Sequence, residues 1–218
     1  MKRYCLYLFI LIGISCSAEL KAQKNGTIYK GNDPAVRYTG RTLVSPDGSV
    51  AFDWVGTYLE TRFTGGKLSV KVSETGTSYY NVFVDGKLHK VVKVCGTDTL
   101  IHLVSGIDKR IHSLKIQKRS EGEFGKTTVH QFVLSGSGRL AEEPAVRTRH
   151  IEFIGNSLTC GYGTDGKHRD EPFLVETENC NLTFASMVAR YYDADYTLIA
   201  HSLSLIHISE PTRLRRIS

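Results

Sequence analysis

Methionine, proline, long apolar runs and metal-type cysteine clusters are all scarce in this chain of 218 residues. It holds two methionines, one tryptophan, five prolines and five cysteines. The main apolar stretch, residues 4–14 with Gly13 inside it, is too short for a hydrocarbon core of roughly 30 Å, which excludes a multi-span membrane protein. Few prolines and no G-x-y period exclude a collagen-like chain. A content of 41% hydrophobic and 23% charged residues excludes intrinsic disorder. No C-x-x-C pair or Cys/His cluster has metal-ligand spacing, so neither a metal nor a cofactor is expected. Twenty glycines and eleven tyrosines lean towards strands and turns. The formal net charge of +6 raises the question of an anionic partner such as nucleic acid.

The amino end has the order of a secretory signal peptide: Lys2 and Arg3, a short apolar core, then the small residues Ser15, Cys16, Ser17 and Ala18. Residues 1–22 are read as that signal, cut after Ala22. A lipid-anchored variant, cut before Cys16, is the alternative. Either way the chain is destined for the periplasm, the outer membrane surface or the medium. Export leaves Cys95, Cys160 and Cys180 in an oxidising compartment, with Cys160–Cys180 the candidate disulfide and one thiol left over.

Residues 24–138 read as short strands with turn punctuation. Leu68, Val70 and Val72 alternate with Lys67, Ser69 and Lys71, the period-2 pattern of a half-buried strand. Residues 80–84 and 87–92 flank Asp85-Gly86, a strong hairpin signal. Eight or nine such strands predict an antiparallel β-sandwich of the jelly-roll type. Residues 139–149, polar and containing Pro144, read as a linker. The grammar then changes. Residues 150–154 form a short apolar strand, residues 183–192 a helix with Phe184, Met187, Val188 and Tyr191 on one face, and residues 196–200 another strand. Strand, loop, helix, strand opens an α/β unit with parallel strands. The fold class is therefore multidomain, β then α/β, with residues 150–202 the start of a second domain.

The block Ile154-Gly155-Asn156-Ser157-Leu158-Thr159-Cys160-Gly161-Tyr162-Gly163 holds the candidate chemistry, because open α/β sheets place their sites just past strand carboxyl ends. The G-x-S-x-G elbow fails, since position 159 is threonine. A dinucleotide loop matches at Gly161, Gly163 and Gly166, but these glycines start several residues past the strand and lead into a polar segment. The block resembles the first motif of the SGNH, or GDSL-like, serine hydrolases. With a sandwich and linker before it, it is similar to carbohydrate esterase family two. The hairpin at residues 79–86 and the segment 191–202 carry the same resemblance, which spans about residues 25–202. The family more often has Asp where this chain has Asn156.

The resemblance implies an amino-terminal jelly roll packed on a three-layer SGNH hydrolase domain. It implies a deacetylase of plant polysaccharide such as xylan or mannan, acting as a monomer without metal, nucleic-acid partner or membrane span. Ser157 would be the nucleophile and its backbone N–H one oxyanion donor, with Gly155, Asn156, Thr159, Gly161 and Gly163 supporting the motif. Serine needs a base to take its proton, and in this superfamily that histidine lies near the carboxyl end of a full hydrolase domain. His112, His130, His150, His168 and His201 are read as structural or solvent-facing. Trp54, Tyr58, Tyr79 and Tyr80 are candidates for a sugar-stacking platform. The rival reading is a non-catalytic carbohydrate-binding sandwich.

Residues 203–218 break the pattern, since glycine should follow Ser202. The peptide Leu203-Ser204-Leu205-Ile206-His207-Ile208-Ser209-Glu210-Pro211-Thr212-Arg213 resembles what one frame of a transposon-based sequencing adapter encodes. On that reading the chain is a fragment carrying a non-native tail and an incomplete, inactive hydrolase domain. The leader and the tail each contribute +2 to the charge, leaving +2 for the rest. The hint of nucleic acid mostly dissolves.

Overall fold

A computed structural model describes residues 26–142 and 144–202; the expected signal peptide and tail lie outside them. Among these residues no helix is long and apolar enough to cross a membrane.

Eight strands form the first region: β1 (Gly26–Lys30), β2 (Val36–Thr39), β3 (Leu43–Val44), β4 (Val50–Phe52), β5 (Tyr58–Val84), β6 (Lys87–Lys118), β7 (Thr127–Ser135) and β8 (Arg139–Leu140). The separate short strands expected from the turn signals are largely stretches of β5 and β6. Bulges near Gly66 and between Glu74 and Thr77 bend β5 without ending it, as bulges do when they raise local twist. The last part of β6 pairs with both ends of β5: Gln117 lies opposite Tyr58 and also opposite Asn81. All eight strands thereby join one curled sheet rather than two separately bonded ones. The hairpin turn falls at Asp85-Gly86, with φ of 51° and 74°, the left-handed pair that a two-residue turn requires. Leu68, Val70 and Val72 point into the core with Phe63, Val82, Leu114, Phe132 and Leu134. Ser69, expected on the solvated face, is also buried, and its hydroxyl is hydrogen bonded to His102 Nδ1.

The segment read as a linker is fastened along its length. Leu140 pairs opposite Phe63 and is buried, and Ala141 N donates to Arg62 O. Arg147 reaches Glu60 and Asp195, and Arg149 donates to the carbonyl of Tyr192. The reason is local: Leu140 has an apolar side chain to bury, and the arginines face carboxylates or open carbonyls.

The second region holds β9 (His150–Gly155), α1 (Ser157–Cys160), α2 (Phe184–Tyr191) and β10 (Asp195–Ala200). β10 runs parallel to β9, with Ala200 opposite Gly155. The helix lies where its period predicts, but with a different face inward. Ala185, Ser186 and Ala189 are buried, while Phe184, Met187, Val188 and Tyr191 are exposed. Small residues let α2 approach the sheet closely beside Tyr196 and Leu198.

The two regions share a core in which Val55 and Tyr58 of the sandwich meet Cys160, Cys180, Ala185, Ala189, Tyr196, Leu198 and Ala200. A side chain at residue 56 would collide with Leu198 Cδ1 at 2.6 Å, so glycine there permits the approach. Around this core lies an ion network. Asp195 accepts from Tyr58 Oη, Arg37 and Arg147, each at 2.7 Å, and Arg37 also pairs with Glu60. Burial alone would raise the Asp195 carboxyl, but hydrogen bonds from Arg37, Tyr58 and Arg147 hold it well below its ordinary range.

Candidate active site

Ser157 opens α1 directly after β9, so a parallel strand whose residues alternate between exposed and half-buried aims it at the sheet's carboxyl edge. Each neighbour in the motif has a geometric reason. Asn156 is the N-cap, and its side-chain oxygen accepts from Leu158 N at 3.1 Å. A Cβ on Gly155 would stand 2.0 Å from Thr159 Oγ1, and Thr159 is buried. Gly161 ends α1 in the left-handed region at φ 85°, with the Asn179 carbonyl 2.5 Å from where a Cβ would sit. Gly163 takes a left-handed turn at φ 70°. The amides of Gly161 and Tyr162 both donate to the carbonyl of Ser157, which pins the serine's backbone.

The segment from Gly161 to Gly166 is a run of turns, with Thr164 N bonded to Gly161 O and Gly166 N to Gly163 O. No helix follows it directly, so the phosphate-cradling geometry of a dinucleotide loop is not formed. Beside it a groove of about 210 Å³ is lined by Tyr162, Gly163, His168 and Phe173, among others. Tyr162 stacks on Phe173 with centroids 3.7 Å apart, and Phe124 of the sandwich lies 5.7 Å from Phe173. These three rings, not the expected platform, form an aromatic cluster at the turn that follows α1. Tyr58 and Tyr80 are core residues, Trp54 lies under Arg41, and Tyr79 Oη donates to Glu176.

The Cys160–Cys180 disulfide is not formed: both thiols are free and buried, and Cys95 is free and exposed. Each buried thiol has its own neighbour. Cys180 Sγ donates to the Lys118 carbonyl, and Cys160 lies against Glu121 and Glu178. Burial pushes the Cys180 thiol up to about 12 and raises Cys160 further. Neither is a thiolate nucleophile near neutral pH.

Among the described residues no histidine is hydrogen bonded to Ser157. His112 sits between Asp85 and Asp108, His130 on Ser73, and His150 on Thr197. His201 Nε2 lies 3.3 Å from Glu123, and His168 is on the exposed loop.

Sequence reasoning missed one cluster. Lys118, Arg119, Ser120 and Glu121 are all buried at the end of β6, although four polar residues in a row read as a solvated loop. Arg119 pairs with Asp165 and donates to the carbonyls of Glu176 and Glu178. Glu121 meets Glu178 and Cys160, with one ligand-type atom of each within 4.8 Å of the others. These three are the set among the described residues that could hold a cation.

Comparison with known proteins shows what the chain as a whole is similar to. The family description Carbohydrate esterase 2 N-terminal matches residues 38–144. The cellulase/esterase CelE of Acetivibrio thermocellus is 33% identical over 171 residues, covering 78% of this chain and 21% of that protein. An acetylxylan esterase / glucomannan deacetylase of Cellvibrio japonicus is 27% identical over 169 residues, covering 77% of this chain and 47% of the relative. The solved structure of a family two carbohydrate esterase from Clostridium thermocellum, in complex with cellohexaose, superposes with a TM-score of 0.73 at 33% identity. It covers 77% of this chain and 51% of its own. The chain thus spans about half of that structure, and less than half of the two curated relatives.

Proposed function

The chain belongs to carbohydrate esterase family two, and on that premise we propose that its parent is an exported deacetylase of acetylated plant polysaccharide such as xylan or mannan. The observation that carries the reading is the place of Ser157 at the carboxyl end of β9, with its backbone pinned by a capped turn. In the proposed reaction Ser157 Oγ attacks the acetyl carbonyl. Its proton passes to a base, the sugar hydroxyl leaves, and water then releases acetate from the acyl-enzyme. The Ser157 N–H is the proposed first oxyanion donor. The sandwich serves as a scaffold that shapes the site, a role supported by the shared core and the Asp195 ion network. The 218-residue chain by itself is proposed to be inactive, because no histidine among the described residues is hydrogen bonded to Ser157.

Acetate release from acetylated xylan and glucomannan tests this in the longer parent recovered from source DNA. Ser157→Ala is expected to lower turnover by about 10⁴-fold or more. Activity unchanged in that variant overturns the nucleophile assignment. Ser157-dependent turnover by the 218-residue chain overturns the claim that it is inactive.

A further inference from the structure

A second groove, of about 500 Å³, lies away from Ser157. Leu59, Phe63 and Leu114 point into the sandwich core, so Glu60, Arg62 and Lys115, which alternate with them, face outwards. These outward residues floor the groove, with Pro144 on one side and Arg190 of α2 on the other. Arg147, also in its wall, is bonded to Asp195 at the start of β10. Ser157 follows the other end of the parallel pair, roughly 16 Å further along the strands.

The charges in the groove do not balance. Arg62, Lys115, Arg147 and Arg190 line it against one carboxylate, Glu60. Glu60 is taken by Arg37 and Arg147, and Arg147 also pairs with Asp193 and Asp195. The other three cations have no ion pair among the described residues. Lys115 Nζ faces neutral rings, 3.7 Å from the Tyr58 centroid and 5.2 Å from that of Tyr196. Arg190 donates to the backbone and side-chain oxygens of Asn181, both neutral. The Arg62 guanidinium has no partner among the described residues. Burial pushes the Lys115 ammonium down to about 8 against the pull of Glu60, and Arg147 adds to the fall, so this amine gains from any anion placed beside it.

The cations are also close enough to act together. Arg62 lies opposite Ser113, and Lys115 opposite Glu60. Arg62 and Lys115 are thus diagonal neighbours on one sheet face, roughly 7–8 Å apart, and both long side chains reach one anion. Phe83 lies opposite Lys115 on its other side and lines the same groove. A ring beside unpaired cations fits a sugar that carries an acid group: the carboxylate takes charge-assisted hydrogen bonds, and the apolar face of the sugar covers the ring. We propose that this groove is a second saccharide site, in which Arg62, Lys115 and Arg190 hold the carboxylate of an acidic sugar and Phe83 its ring. The choice of a saccharide over a free anion rests on the carbohydrate-esterase reading above; the anion site itself does not. An acidic substituent held there ties the polysaccharide to the protein away from the ester bond.

The 218-residue chain suffices for the test, since no turnover is needed. Three ligands are titrated calorimetrically: xylotriose bearing one glucuronic acid, neutral xylotriose and inorganic phosphate. The acidic sugar is expected to bind at least about tenfold tighter than the neutral one, and less tightly in added salt. Arg62→Gln has no partner to lose; it is expected to keep the wild-type melting temperature and to weaken acidic-sugar binding by about tenfold. Lys115→Gln is expected to weaken it similarly. Phe83→Leu is expected to weaken the acidic sugar by about threefold or more and to leave phosphate unchanged. Equal binding of acidic and neutral sugars overturns the role of the cations. Phosphate bound as tightly as the acidic sugar, with no effect of Phe83→Leu, overturns the saccharide and leaves a site for free anions. Binding unchanged in both Arg62→Gln and Lys115→Gln, or no binding of any ligand, overturns the site. Acetate release by the parent is read separately. Its absence beside intact acidic-sugar binding counts against the esterase reading alone, and the reverse counts against this groove alone.

Discussion

At the scale of single residues, the motif around Ser157 is a set of steric and capping requirements. Asn156 satisfies an otherwise open amide at the start of α1. Asn156→Ala is expected to cost about 1 kcal/mol of stability, whereas Asn156→Asp keeps the cap and stays within a few tenths; paired denaturant titrations of the 218-residue chain check this. Gly155 faces a buried Thr159 hydroxyl with no room for a methyl group. Gly155→Ala is expected to destabilise by about 1–3 kcal/mol through overpacking. A melting temperature equal to wild type would show that the turn has slack the distances do not suggest. These residues set where Ser157 sits.

At the scale of elements, the Asp195 end of β10 is where the first region and the second are locked together. Its carboxyl accepts from three donors, two of them arginines; Asp195, Tyr58 and Arg37 are largely buried and Arg147 is about one-third exposed. Removing the Asp195 charge leaves Arg37 and Arg147 to share Glu60 as their remaining buried carboxylate. Asp195→Asn is expected to cost about 3 kcal/mol at neutral pH. Because the Asp195 carboxyl lies below its ordinary value of 3.8 in the fold, its contribution is full above that value and is lost as pH falls beneath it. The gap between variant and wild type should therefore close on acidification, a trend read from melting curves between neutral and strongly acidic pH. A gap independent of pH would assign the effect to packing.

At the scale of the whole molecule, the second region carries several large exposed apolar side chains among the described residues. Ile154, Leu158 and Tyr191 are 80%, 74% and 83% exposed, and Phe184, Met187 and Val188 are exposed as well. Several large exposed apolar groups in one region favour association. The purified chain is expected to self-associate, visible as concentration-dependent light scattering. The triple variant Ile154→Thr, Leu158→Gln, Tyr191→Gln is expected to suppress it with stability held within about 0.5 kcal/mol per site. Scattering unchanged by the triple variant would place the association elsewhere.

How much was legible before the fold follows from the range of the interactions. The alternation at Leu68, Val70 and Val72, the Asp85-Gly86 turn, and the strand–turn–serine grammar at residues 150–157 are local patterns, and they already determined strand faces, hairpin and candidate nucleophile. Burial of Ser69 and of the run from Lys118 to Glu121 depends on what a distant segment lays over them, so no local pattern announces it. The inward face of α2 was misjudged for a related reason: apolar periodicity marks the larger face, while close packing against β10 selected the small one. The disulfide was inferred from compartment and count, but each buried thiol settled beside its own partner. Sequence alone thus determined the family grammar and the position of Ser157. Only the tertiary structure decided that Glu121, in the first region, accepts from Ser202 in the second, because hydrogen bonds across 81 residues of chain exist only once both regions share a core.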